Sequence, residues 1–154
     1  MARINLGEIF EIKTAKGFAY LHYFYLDNDK IPWLRVLPGM YKDRPDNVEE
    51  LAATKEKYIL RFMIGVAYHR KYVEKTGFFP ADSFKKPQFM RSPESRGGDF
   101  LGWYIINTDT FFRNLFQELT SEQIQLSSWG IWSYPLLLDR LESNWSLEKW
   151  RYND

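Results

Sequence analysis

Apolar and polar positions alternate almost from the start of the chain. In residues 7–13 (GEIFEIK), Phe10 and Ile12 share one face while Glu8, Glu11 and Lys13 mark polar positions, the period-two pattern of a strand. Residues 18–26 (FAYLHYFYL) are apolar on both faces, with Phe18, Tyr20, Phe24 and Leu26 on one and Ala19, Leu21, Tyr23 and Tyr25 on the other. A strand that buries two faces belongs in the middle of a sheet. Thr14-Ala15-Lys16-Gly17 supplies a short turn between them, so the pair reads as a hairpin.

Further strands are predicted around 33–37, over 58–64 (YILRFMI) and over 101–107 (LGWYIIN). Residues 66–75 fit either a helix or a strand; the alternation of Val66, Tyr68, Arg70 and Tyr72 with Ala67, His69 and Lys71 favours a strand. A short helix is expected from Pro45 to about Lys55, with Asp46 as its cap and Glu49-Glu50 in its first turn. Thr120 and Gln123 form a capping-box pattern for a helix over 120–126. Ser133 and Pro135 open a last helix whose apolar stripe is Leu137, Leu138, Leu141 and Trp145. Between 77 and 100, Pro80, Pro87, Pro93 and Gly97-Gly98 read as a loop, with 92–99 its most mobile part.

Strands lead and short helices trail. The expected fold class is therefore α+β: a strongly bent antiparallel sheet or small β-barrel, with two or three short helices packed on one side. With 154 residues and no linker, repeat or low-complexity tract, the chain reads as a single domain over 1–154.

Composition narrows function mainly by exclusion. The 45% hydrophobic and 27% charged content is that of a folded chain. A net charge of +1 gives no overall bias toward nucleic acid or toward a basic partner. Cysteine is absent, which removes disulfides, thiolate metal ligands and thiol nucleophiles. The segment from Met1 to Asn5 leads into Gly7 without a long apolar run, and nothing approaches the roughly 18–20 apolar residues of a membrane span, so the expected location is cytoplasmic.

Catalytic patterns are equally sparse. His22 and His69, the two imidazoles, lack metal-ligand spacing; His22 reads as a hydrogen-bonded core or edge residue and His69 as a solvated one. Glu8 and Glu11 are three positions apart, an odd offset, so on one strand they point to opposite faces. Ser127-Ser128-Trp129-Gly130 is no nucleophile elbow, and Gly97-Gly98 is no phosphate cradle. The expectation is a chain that is not an enzyme and has no catalytic residue, cofactor or metal.

What remains is surface. Between His69 and Arg96 the bases Arg70, Lys71, Lys75, Lys85, Lys86, Arg91 and Arg96 outnumber the acids, and rings such as Phe79 and Phe84 are interleaved. Bases with stacking rings suit single-stranded nucleic acid, yet a solvated rim over inward-turned rings explains the same pattern. The C-terminal third leans acidic, a polarity suited to guided protein docking. Trp129 and Trp132 flank Gly130 and fit either the core or a partner groove. The candidate partner-binding residues are Phe79, Lys85, Lys86, Arg91, Arg96, Trp129 and Trp132, with the stretch 78–100 as the expected contact surface.

The run Gly7-Glu8-Ile9-Phe10-Glu11-Ile12, the aromatic strand after Gly17 and the later single tryptophans resemble the immunity protein 26 family of bacterial polymorphic toxin systems. The likeness covers mainly the first third of the chain, where Phe10 and Glu11 match the family's phenylalanine followed by an acid. It implies a cytoplasmic protein that binds a cognate toxin domain and blocks it without catalysis. A recognition module for peptide or nucleic acid, or a structural protein, is the alternative.

Overall fold

The computed structural model describes residues 3–152, so Met1 and Ala2 of the N-terminal segment read above lie outside the described residues. Strands β1 (Glu8–Thr14), β2 (Gly17–Leu26) and β3 (Pro32–Val36) come first, then helix α1 (Val48–Ala52) and β4 (Tyr58–Phe62). Helix α2 (Ile64–His69), β5 (Val73–Phe78), β6 (Phe89–Arg96), β7 (Asp99–Asn107) and β8 (Arg113–Phe116) follow. Helix α3 (Ser121–Ile124), β9 (Ile131–Trp132), α4 (Tyr134–Glu142) and a 3-10 turn (Leu147–Lys149) complete the order.

The fold class is α+β, built on two sheets. The larger runs β5-β1-β2-β3-β4-β9 and is antiparallel except between β4 and β9; the smaller runs β6-β7-β8 and is antiparallel throughout. Bulges interrupt the register at Ile9/Phe10, Tyr23/Tyr25 and Glu94/Ser95 and bend the strands that carry them. Neither sheet closes, so of the two expected architectures the barrel is not formed.

The central position of β2 follows from its two apolar faces. Ala19, Leu21 and Tyr23 enter the main core with Phe10, Leu34 and Leu60, over which α2 and α4 pack through Ala67, Leu137 and Leu141. On the opposite face, Tyr20 joins Ile9 and the α1 residues Val48 and Ala52, while Phe24 joins Trp33, Ile59 and Met90 of β6. Helices therefore cover both faces of the larger sheet rather than one.

Three local expectations are corrected. Residues 64–69 are helical because Ile64 and Ala67, three apart, both turn into the core; Lys71, at φ 63°, then redirects the chain into β5. Of the stretch 77–100, 79–88 is loop as expected, but 92–99 belongs to the β6–β7 hairpin. Pro93 is tolerated because β6 is an edge of its sheet, and Gly97 and Gly98, at φ 56° and 86°, make the two-residue turn into β7. The α1 cap is Asn47, whose Oδ1 accepts from the N–H groups of Glu49 and Glu50, one residue beyond Asp46. The caps at Thr120 and Ser133 form as the sequence predicts.

Four arginines, at 35, 61, 91 and 140, are buried, and each lies against aromatic rings. A guanidinium is flat and weakly hydrated for a cation, so ring faces and backbone carbonyls can replace much of its water. These contacts let charged side chains serve as interior packing.

Candidate functional site

The connection from β7 to β8 builds the most exposed aromatic feature of the molecule. Asn107 Oδ1 accepts from the N–H groups of Asp109 (2.9 Å) and Thr110 (3.2 Å), and the Asn107 carbonyl accepts from the Phe111 N–H at 2.8 Å. The Asn107 N–H in turn donates to the Phe112 carbonyl at 2.8 Å, closing the turn. Phe111 is thereby held at φ 64°, a left-handed conformation that costs a residue with a β-carbon about 1–2 kcal/mol. Phe111 and Phe112 remain 60% and 68% exposed. Strain of this kind persists where the surrounding contacts impose it, and it gathers at binding sites.

The two rings stand between two cavities. On the Phe112 side, a cavity of about 370 Å³ lies between the smaller sheet and α3, walled by Phe89, Ile105, Phe116 and Leu126. On the Phe111 side, a cavity of about 330 Å³ is walled by Tyr25, Trp33 and Trp129, with Asp27, Arg61 and Lys86 among its polar groups. Strand β8 borders the first cavity as an edge strand, so half of its backbone N–H and C=O groups face away from β7.

Charges in the second cavity are arranged in pairs. Arg61 faces Trp33 across the β3–β4 ladder, lies 4.0 Å from the Trp129 ring centroid and donates to the Trp129 carbonyl at 2.7 Å. Its Nη2 stands 3.6 Å from Asp27 Oδ2. Burial lowers the Arg61 guanidinium, and Asp27 opposes that shift. Burial alone would raise the Asp27 carboxyl, but the Trp33 indole N–H (2.9 Å), the backbone N–H groups of Ile31 and Asp29 and the Arg61 charge together hold it below its ordinary value. Lys86 pairs with Asp109 at 2.7 Å and donates to the Thr108 carbonyl at 3.1 Å.

Of the seven residues expected to contact a partner, this cavity gathers Lys86 and Trp129. Lys85 is exposed on the segment between β5 and β6, and Arg96 is exposed at the β6–β7 turn. Phe79 is half-buried, and its carbonyl accepts from His22 Nε2 at 2.7 Å. Arg91 and Trp132 belong to the interior, which corrects their assignment to a surface. Arg91 is 1% exposed, lies between Trp103 and Trp150 and donates to the carbonyls of Ile124, Leu126 and Leu147; burial pulls its guanidinium down to about 10. Trp132 packs in the main core against Tyr58 and Trp145.

The basic stretch does not act as a unit either. Arg91 is interior, Lys75 pairs with Glu8 at 3.1 Å and Lys86 with Asp109, which leaves Arg70, Lys71, Lys85 and Arg96 exposed on separate segments. Sequence reasoning missed Asp27, Arg61, Phe111 and Phe112. The adjacent phenylalanines after the turn-forming Asn107 were the available signal. Among the described residues, no group of three His, Asp or Glu side chains is placed to hold a metal ion, and no helix is long and apolar enough to cross a membrane. Compared with protein-family models, with curated proteins and with solved structures, the chain matches none.

Proposed function

We propose that this chain is a non-catalytic protein-binding module of the immunity type, which covers a cognate bacterial toxin domain through the face built around Phe111 and Phe112. The observation that carries the reading is the exposure of these two rings, 60% and 68%, on a hydrogen-bonded and strained turn between two cavities. A phenylalanine moved fully out of water contributes about 1.5–3 kcal/mol, and interfaces draw most of their affinity from a few such anchors. The fixed turn lowers the ordering cost that a flexible loop would meet on binding. Trp129, half-buried beside Phe111 with ring centroids 5.9 Å apart, extends the same surface.

The resemblance to the immunity protein 26 family supports the toxin-blocking part of the reading, and it concerns the scaffold. Phe10 lies in the main core and Glu11 is buried, accepting from Tyr20 Oη at 2.8 Å, so the matching residues build the sheet rather than the exposed face.

Co-expression with a toxin domain encoded beside the gene tests the proposal. A stable one-to-one complex is expected on size exclusion, and Phe112→Asp should weaken it by about a hundredfold while the free protein stays folded. Failure to bind any such neighbour would remove the immunity reading. A complex indifferent to both Phe112→Asp and Phe111→Ala would move the contact surface elsewhere.

A further inference from the structure

The cavity beside Phe111 repeats one arrangement, in which a carboxylate, a cation and an aromatic ring stand together. Asp27, Arg61 and the rings of Trp33 and Trp129 make the first set, with the guanidinium 5.6 and 4.0 Å from the two centroids. Asp109, Lys86 and Tyr25 make the second, with the ammonium 2.7 Å from the carboxylate and 5.8 Å from the ring centroid. Both cations are engaged within the protein. Arg61 Nη1 donates to the Trp129 carbonyl and Nη2 faces Asp27, while Lys86 donates to Asp109 and to the Thr108 carbonyl.

A third carboxylate, Asp29, and a fourth ring, Phe111, line the same cavity; among the described residues Asp29 lies within the electrostatic reach of Arg61 but closes no ion pair with it. The Asp29 backbone N–H donates to Asp27 Oδ1 at 2.9 Å, but among the described residues its carboxylate accepts no hydrogen bond. Phe111 presents most of its ring to solvent. Three carboxylates (Asp27, Asp29, Asp109) against two cations (Arg61, Lys86) leave one negative charge in excess on the lining. Ring faces attract cations by about 0.5–2 kcal/mol, and a carboxylate adds a charge-assisted hydrogen bond. An entering anion would meet the exposed carboxylates of Asp29 and Asp109, whereas Arg61 and Lys86 are less exposed and already paired with Asp27 and Asp109.

We infer that this cavity receives a lysine or arginine side chain of the protein partner, its charged head at Asp29 and its stem against Phe111. The inference rests on the partner-binding reading of this face and adds the chemistry that the partner must present. Phe112 and its apolar cavity then hold the hydrophobic part of the contact, while the Phe111 side fixes its orientation through one basic residue.

Titration of the whole protein with N-acetyl-arginine amide and N-acetyl-lysine amide tests this, with the Trp33 and Trp129 indole N–H signals followed by NMR. N-acetyl-citrulline amide and acetate serve as the uncharged and anionic probes. Expected are saturable shifts with at least one cationic probe, binding weaker by about fivefold or more with citrulline, and loss of binding in Asp29→Asn. Asp29 is exposed, and native indole positions in the variant would verify its fold. Phe111→Leu should also weaken the response. No saturable shift, an equal response to citrulline, or a response to acetate instead would overturn the inference. Because these probes need no toxin, failure here together with a complex still broken by Phe112→Asp would remove the basic-residue site and leave the binding face standing.

Discussion

Arg35 Nη1 stands 3.0 Å from His22 Nδ1, directly across the β2–β3 ladder, and both side chains are almost wholly buried. A guanidinium only donates, so Nδ1 must accept, and the ring proton sits on Nε2, where it is donated to the Phe79 carbonyl. Both ring nitrogens are therefore committed in the neutral form. Phe84 closes over the pair, 3.9 Å from the guanidinium and 5.3 Å from the imidazole centroid.

This relationship sets a pH dependence. Burial is the main cause that lowers the His22 pKa below 6.5; the Phe79 hydrogen bond opposes it and the Arg35 charge adds to it. As pH falls below 6.5, the unfolded chain takes up a proton that the folded chain refuses, so stability is complete above that value and declines toward the folded pKa. The limiting slope is about 1.4 kcal/mol per pH unit for one proton. Urea unfolding at pH 7.5 and 5.5 should show the decline, and His22→Gln should flatten it. An NMR titration in which His22 charges at or above 6.5 would contradict the assignment.

Arg91 gives a prediction about stability rather than binding. Arg91→Met removes the hydrogen bonds to the carbonyls of Ile124, Leu126 and Leu147, of which Leu147 keeps the Trp150 N–H, at about 1 kcal/mol for each bond. A loss near 3 kcal/mol in the unfolding free energy is expected. A loss below about 1 kcal/mol would mean that the guanidinium is not the fastening it resembles.

Phe111 should show the opposite sign. Asparagine adopts the left-handed region more readily, so Phe111→Asn is expected to raise stability by about 0.5–1 kcal/mol while weakening the partner complex. Thermal melts and the co-expression complex read the two effects separately. A variant less stable than the parent would show that the Trp129 contact outweighs the backbone strain.

Gly102 controls the position of β8. It sits at φ 144°, and a β-carbon there would lie 2.7 Å from the Phe116 carbonyl oxygen, which is backbone and cannot swing aside. Gly102→Ala should cost about 2 kcal/mol and shift the amide signals of 113–116 more than those of β1 or β2. Uniform shifts across both sheets would argue against this local effect.

The elements legible in the sequence are those whose determinants lie close together along the chain. The β1–β2 hairpin has alternating residues on both sides of a glycine turn; α3 and α4 have their caps within three residues of the groups they satisfy. Of the 89–107 hairpin the second strand was legible, but the first escaped because Pro93 and the Gly97-Gly98 pair resemble breakers until Pro93 is known to lie on an edge strand. Arg91 was misplaced for a related reason: its ring neighbours Trp103 and Trp150 are distant in sequence. The candidate site draws Asp27, Arg61, Lys86, Phe111 and Trp129 from separate segments, and no local pattern links them.

The short parallel pairing of β4 with β9 bears on the order of assembly. Strands β1 to β4 follow one another as an antiparallel meander, and contacts of that local kind form early, even while a chain is still being synthesised. The sixth strand must wait until Ile131 and Trp132 return to Arg61 and Phe62, closing a long loop. Until then the β4 edge is open to strand exchange with a neighbouring molecule, so conditions that slow this closure should favour aggregation of nascent chains over their productive folding.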